Sequence, residues 1–268
     1  MVNVLTFSDV EILNVVGDIH GKFETLEYNI NRRYLIENSV NIVLGDCGIG
    51  FHKDEYYLQL FKRLNTKFKK QNNHIIMFRG NHDSPEYFNG KKNKLFEKFS
   101  HIHVIPDYTI VTLNDRFNIL CIGGGISIDR LDRLNEMSKN FQHHSFKSEI
   151  RPIYWENENV VYNEFKLDEI NKQFPSFIHM VATHSCPDFI FPTSKVGVKG
   201  WIARDPYLEE DLNIERGNMT QIYNHLITDQ KCILTWVYGH FHMHNIEYDK
   251  ENIKFFTCEC ETVNEIRF

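Results

Sequence analysis

Residues 12–21 read ILNVVGDIHG, an apolar run that ends on glycine, aspartate, histidine and glycine. Gly and Asp are turn formers, so one reading is a buried strand that simply stops. The other reading is chemical: Asp18 and His20 are two apart in an extended segment, share a face, and could hold one metal ion. Outward from this stretch the same pattern returns as VNIVLGDCG (40–48), HIIMFRGNHD (74–83), FNILCIGGG (117–125), FIHMVATHSCP (177–187) and CILTWVYGHFH (232–242). Each predicts a buried strand of four to eight residues followed by a loop. KFETLEYNINRRYLI, DEYYLQLFKRLNTKFKK, FKLDEINKQF and MTQIYNHLITD lie between them and read as helices. Strands alternating with helices imply βα units, parallel pairing and an α/β fold whose sites gather at strand C-terminal ends. HNIEYDKENIKFFTCEC (244–260) alternates without a helix and predicts an antiparallel hairpin turning at Asp249–Asn252. Residues 1–268 read as one domain, with 126–176 as its insertion.

Composition narrows the classes available. At 268 residues with 42% hydrophobic content, the chain can bury a large α/β core. Its formal charge of -6 argues against general nucleic-acid binding. The lysines of FKRLNTKFKKQ and GKKNKLFEK read as solvated helix faces. MVNVLTFSDVE has neither the basic start nor the long apolar stretch of a signal peptide, and no apolar run reaches membrane length. The six cysteines do not form a disulfide framework, so a reduced, cytoplasmic setting is expected, with no membrane partner. Nothing in the sequence sets the oligomeric state.

The strand ends decide the chemistry. Among them they carry Asp18, His20, Asp46, Asn81, His82, Asp83, His184, His240 and His242. Each alone is an ordinary turn or polar residue. Together, oxygen and imidazole donors without a recurring thiolate describe a hard-to-intermediate divalent site rather than a structural zinc knot. A carboxylate from the second strand can lie between two ions, an arrangement that clamps a phosphoryl group for in-line displacement.

In order and local wording, GDIHG, GDCG, RGNHD, THSCP and GHFH resemble the five signatures of the calcineurin-like metallophosphoesterases and span residues 17–242. The resemblance implies a four-layer αββα sandwich of two mixed β-sheets flanked by helices. It also implies that Asp18, His20 and His242 ligate one metal, that Asp46 bridges, and that Asn81, His184 and His240 complete the second site. His244 repeats the spacing but falls outside the pattern and reads as a strand residue. The implied activity is hydrolysis of phosphomonoesters, phosphoprotein Ser/Thr phosphatase-like activity among them, by direct attack of a metal-bridging hydroxide. His82 would protonate the leaving group and Asp83 would orient the His82 ring. Two divalent ions are expected, manganese foremost, with iron or zinc as alternatives. A phosphodiesterase or nuclease of the same superfamily, or a non-catalytic scaffold with this fold, is the alternative.

One departure matters. The protein Ser/Thr phosphatases of this superfamily carry an arginine in GDxxDRG, whereas this chain reads GDCGIGFHK. Arg130, Arg133 and Arg151 of the 126–158 segment are candidates to replace it, with Tyr154 and Trp155, if the segment caps the metals. The competing reading is an amphipathic helix that packs Ile128, Leu131 and Leu134 on the sandwich. Cys47 reads as a buried filler beside Asp46.

Overall fold

The computed structural model describes residues 2–143, 152–174, 178–229 and 232–268, which fold as two mixed sheets with helices outside both. In chain order the elements are β1 (Asn3–Phe7), β2 (Ile12–Val16), α1 (Phe23–Glu27), β3 (Ser39–Val43), α2 (Asp54–Lys70), β4 (His74–Met77), β5 (Ile102–Val104), β6 (Thr109–Leu113) and β7 (Phe117–Ile122). There follow α3 (Arg130–His143), α4 (Glu164–Gln173), β8 (Met180–Thr183), α5 (Val198–Ile202), α6 (Leu208–Asp229), β9 (Thr235–Tyr238), β10 (Asn245–Tyr248), β11 (Lys254–Thr257) and β12 (Val263–Ile266). One sheet has seven strands in the order β1-β6-β7-β8-β9-β11-β10, the other five in the order β12-β2-β3-β4-β5. Both are mixed: β2, β3, β4 and β5 run parallel while β12 opposes β2, and β7, β8, β9 and β11 run parallel while β6, itself parallel to β1, opposes β7 and β10 opposes β11.

The apolar runs are continuous because their strands are buried on both faces. Along β7, Ile119 and Cys121 enter the core between the sheets, with Leu13, Val15, Ile42 and Val237. Leu120 and Ile122 point the other way, into a core shared with α4 and α6 through Leu167, Ile170, Met219 and Tyr223. A third core lies outside the five-stranded sheet, where Tyr57, Phe61, Leu64 and Phe68 of α2 meet Val43, Ile75 and Met77. Three cores between four layers give the αββα sandwich.

Several elements differ from the sequence reading. The first helix is α-helical only over Phe23–Glu27 and widens to π geometry over Tyr28–Arg33. Helix α6 begins at Leu208, well before the apolar spacing of MTQIYNHLITD. Helix α4, inside the 126–176 stretch, packs Leu167 and Ile170 into the core outside the seven-stranded sheet. Helix α3 contributes little packing: Leu131 is only partly buried and Leu134 is exposed. The hairpin forms as expected, with β10 antiparallel to β11 and the turn closed by Asp249, whose carboxylate accepts the Glu251 and Ile253 amides.

Candidate metal centre

The parallel strands of both sheets end at one edge, and the loops that follow them converge. Asp18 follows β2, Asp46 follows β3, Asn81 follows β4, His184 follows β8, and His240 and His242 follow β9. Asn81 Oδ1 lies 3.0 Å from His184 Nε2, and His240 Nδ1 lies 3.1 Å from the same nitrogen. On the other side, His242 Nε2 stands 3.1 Å from Asp18 Oδ2 and 3.3 Å from His20 Nε2. Asp46 lies between the groups, with Oδ1 3.3 Å from His184 Nε2 and Oδ2 3.9 Å from His20 Nδ1. The seven expected ligands are therefore brought together, with Asp46 presenting one oxygen to each group.

The donor set fits divalent cations. Asp18 and Asp46 are 1% and 0% exposed, and the Oδ2 atom of each makes no hydrogen bond of good geometry, that of Asp18 having only ring nitrogens of the donor group beside it. A buried carboxylate oxygen left in that condition costs several kcal/mol unless a cation compensates it, by the order of magnitude expected for buried charge. Burial opposes ionisation of Asp46, but His184, His82 and His20 together hold its carboxyl below the usual range. Burial also pushes His240 well below its ordinary value, into the neutral form that ligates metal. For His20, burial lowers the value, and contacts with Cys260, Asp46 and Asp18 more than offset it. The backbone is strained here as well: His20, Asp46, His240 and His242 have φ of 44°, 46°, 69° and 55°. Four donors in the left-handed region that disfavours side chains mark a site whose geometry outweighs local comfort.

Close backbone packing brings the loops this near. A Cβ on Gly80 would run into Asp46 Oδ1, and a Cβ on Gly125 would come within 3.1 Å of both His184 and His240. The GGG loop thus lets its backbone pass beside the donors. Asp83 does not orient the His82 ring. Its carboxylate accepts the amides of Cys47, Ile49 and Gly80 at 2.9, 2.8 and 2.8 Å, and so ties the second and third loops together. Cys47 is fully buried, and its thiol donates to the Phe78 carbonyl.

The sequence reading missed several supports. His184 Nδ1 meets the Leu44 carbonyl at 2.7 Å, which points Nε2 inward. Asn81 donates to Ser127 Oγ, and Ser127 donates to the buried Glu158. Glu215 of α6 lies 3.9 Å from His240 Nε2. No local pattern marks Glu158 or Glu215, since each reaches the site from a distant helix or loop. Cys260 was missed too, and it stands in one donor group with Asp18, His20 and His242.

Beside the donors opens a cleft of about 510 Å³ lined by His20, His82, His242, Arg133, Phe51 and Tyr56, among others. Arg133 is held at its rim by the Asp129 carboxylate (2.8 Å) and the Ile153 carbonyl (2.9 Å). Arg130 is not brought to the site: Asp205 (2.6 Å) and Asp211 hold its guanidinium, which anchors α3 to the α5–α6 region. Trp155 borders the cleft by packing edge-on against Phe51, with ring centroids 5.2 Å apart. It also lines a larger neighbouring cavity of about 770 Å³ that none of the metal donors line. Arg151 lies outside the described residues. His244 packs its ring on Phe256 and takes no part in the donor groups.

A four-layer sandwich with two adjoining groups of carboxylate and imidazole donors at its strand ends defines a class, the dimetal hydrolytic folds. The chain belongs to the calcineurin-like phosphoesterase family, whose model matches residues 13–244. It is 28% identical over 139 residues to the serine/threonine-protein phosphatase 6 catalytic subunit of Drosophila melanogaster; the match covers 48% of this chain and 45%, about half, of that subunit's length. Among solved structures it resembles the TT1561 protein of Thermus thermophilus, with TM-score 0.51, 10% identity and coverage of 96% and 98% of the two chains. A dimetal phosphatase from Danio rerio is similar at TM-score 0.47 and 13% identity over 97% of this chain and 88% of that one. No helix among the described residues is long and apolar enough to cross a membrane.

Proposed function

We propose that this protein is a metal-dependent phosphomonoesterase acting on a phosphorylated substrate whose organic part lies in the cleft beside His82. The observation that supports it most is a juxtaposition. Two buried carboxylates, Asp18 and Asp46, each with an oxygen that makes no hydrogen bond of good geometry, adjoin a cleft that offers a cation, Arg133, and a histidine outside the donor groups, His82. Asp18, His20 and His242 would hold one ion, Asn81, His184 and His240 the other, with Asp46 between. When bound, two divalent ions polarise phosphoryl oxygens and lower the pKa of a coordinated water.

The chain's own residues do the rest. Arg133 supplies the positive charge that a phosphate dianion needs beyond the ions, in place of the arginine missing after GDCG. That demand favours monoesters, which carry one more negative charge than diesters. Burial pushes His82 down to about 4, against the pull of Asp46, so its imidazole is neutral near pH 7. A bound phosphoryl group raises it again by its charge, and His82 can then give a proton to the leaving oxygen. Asp83 keeps the Asp46 and Asn81 loops in register. Phe51 and Tyr56 form an aromatic wall for the organic group.

The experiment is a panel of aryl and alkyl phosphomonoesters, phosphopeptides and aryl phosphodiesters, assayed with manganese-loaded and metal-stripped protein. Phosphopeptides are included because of the partial likeness to a Ser/Thr phosphatase subunit. Metal-dependent hydrolysis with kcat/KM for monoesters above that for diesters by about tenfold or more supports the reading. Faster diester cleavage makes the protein a phosphodiesterase, and no cleavage of either makes it a scaffold.

A further inference from the structure

We propose that Cys260 supplies a thiolate as a further protein donor to the first metal position, beside Asp18, His20, His242 and the shared Asp46. The inference rests on the dimetal reading of the site and adds a ligand from outside residues 13–244, the stretch the family model matches.

Topology brings the cysteine there. Strand β11 runs parallel to β9, so both end at the edge where the donors gather. The turn after β11 is then sewn to the loop after β2. The Glu261 amide donates to the Asp18 carbonyl (3.2 Å) and the Gly17 amide to the Thr262 carbonyl (3.2 Å), while the Cys258 amide ties the start of the turn to the Tyr238 carbonyl at the end of β9 (3.0 Å). Lys22 and Glu261 pin the same turn with an ion pair at 2.5 Å. Gly17 permits the approach, because a Cβ there would run into the Glu259 carbonyl. Cys260 is thereby fixed against Asp18 although 242 positions separate them in sequence (260 minus 18).

The donors have the spacing of a coordination shell. One ligand atom each from Asp18, His20, His242 and Cys260 lies within 4.8 Å of every other. Two nitrogens bound at about 2.0–2.1 Å to one ion stand roughly 2.9–3.4 Å apart at the angles of about 90–109° found in four- and five-coordinate sites. His20 Nε2 and His242 Nε2 are 3.3 Å apart. Burial adds to this: Asp18 is 1% exposed, and its Oδ2 makes no hydrogen bond of good geometry, with His242 Nε2 beside it at 3.1 Å. Cys260 is only partly buried, within reach of an entering ion. On binding, the thiol proton is released to solvent and the sulfur becomes an anionic donor. A soft sulfur selects zinc, iron or cobalt over manganese, so this position differs in preference from its oxygen- and imidazole-ligated neighbour.

Cobalt(II) titration of metal-stripped full-length protein tests this, read by absorption and by bound-cobalt stoichiometry. The wild type should bind two cobalt ions and develop a thiolate-to-cobalt charge-transfer band in the near ultraviolet. Cys260→Ser should lose the band, while Cys47→Ser keeps it. Zinc affinity at the first site should fall in Cys260→Ser by at least the roughly 10- to 100-fold known for the loss of mere outer-shell partners. Manganese affinity should change less. Two bound cobalt ions without the band, or a band that survives Cys260→Ser, overturns the thiolate ligand and leaves the dimetal reading standing. Failure to bind cobalt overturns both.

Discussion

Two arginines one helical turn apart have opposite fates. Arg133 lines the cleft, whereas Arg130 is taken up by Asp205 and Asp211. Arg133→Ala should lower kcat/KM by about 1–3 kcal/mol of transition-state stabilisation, as expected for a charge-assisted phosphate contact, with an unchanged melting temperature. Arg130→Ala should instead lower the melting temperature and leave kcat/KM within about twofold, because it strands two carboxylates without touching the cleft. Steady-state kinetics and thermal unfolding of the pair check this. His82 adjoins a ligand but is not one of the donors. His82→Ala should slow turnover by about 10²- to 10⁴-fold with metal stoichiometry intact. The loss should shrink for nitrophenyl phosphate, whose leaving group needs little protonation. Equal losses for alkyl and aryl substrates would remove the acid role. At this scale the sequence was readable where a donor follows its own strand within a few residues, as Asp18, Asp46 and Asn81 do. Glu215 and Cys260 were not readable, because only the closing of the sheets places them, and Asp83 was assigned to the wrong neighbour. Its proximity to His82 in sequence suggested a ring contact, while the buried amides of Cys47, Ile49 and Gly80 had the stronger claim on its oxygens.

At the level of elements, the central strands were legible because burial on both faces leaves few polar residues to blur the run, and those few, such as Asn14 and Asn41, bond each other. The edges were not. Strand β1 is largely exposed, β5 has three residues, and β12 is at most partly buried, so none shows a period strong enough to read. The edge at β4–β5 has a consequence for stability. His74 Nδ1 and His103 Nε2 face each other at 3.3 Å, and the His101 ring stacks on His74. Burial, aided by the neighbouring histidines, pushes both His74 and His103 from 6.5 down to about 4. The unfolded chain therefore takes up protons below 6.5 that the folded protein refuses until about 4, and stability falls as pH falls through that window. Melting temperature against pH should drop across this range, and His103→Gln should flatten the slope. A parallel curve for the variant would place the acid sensitivity elsewhere.

For the whole molecule, the sandwich explains why chemistry gathers at one edge. Parallel strands in each sheet end on the same side, and the core between the sheets holds those ends close enough for loops from both to share ions. Asp18 and Asp46 come from the five-stranded sheet, and His184, His240 and His242 from the seven-stranded one, so the donor set assembles only when the sheets pack. Metal binding and sheet packing should therefore stabilise one another, and stripping the ions should lower the melting temperature. The claim beneath all of this is a two-ion centre bridged by Asp46. Elemental analysis of protein purified without chelator, followed by titration to saturation, measures it directly. Two divalent ions per chain is the expected result; saturation at one ion, or at none, would contradict the bridged centre.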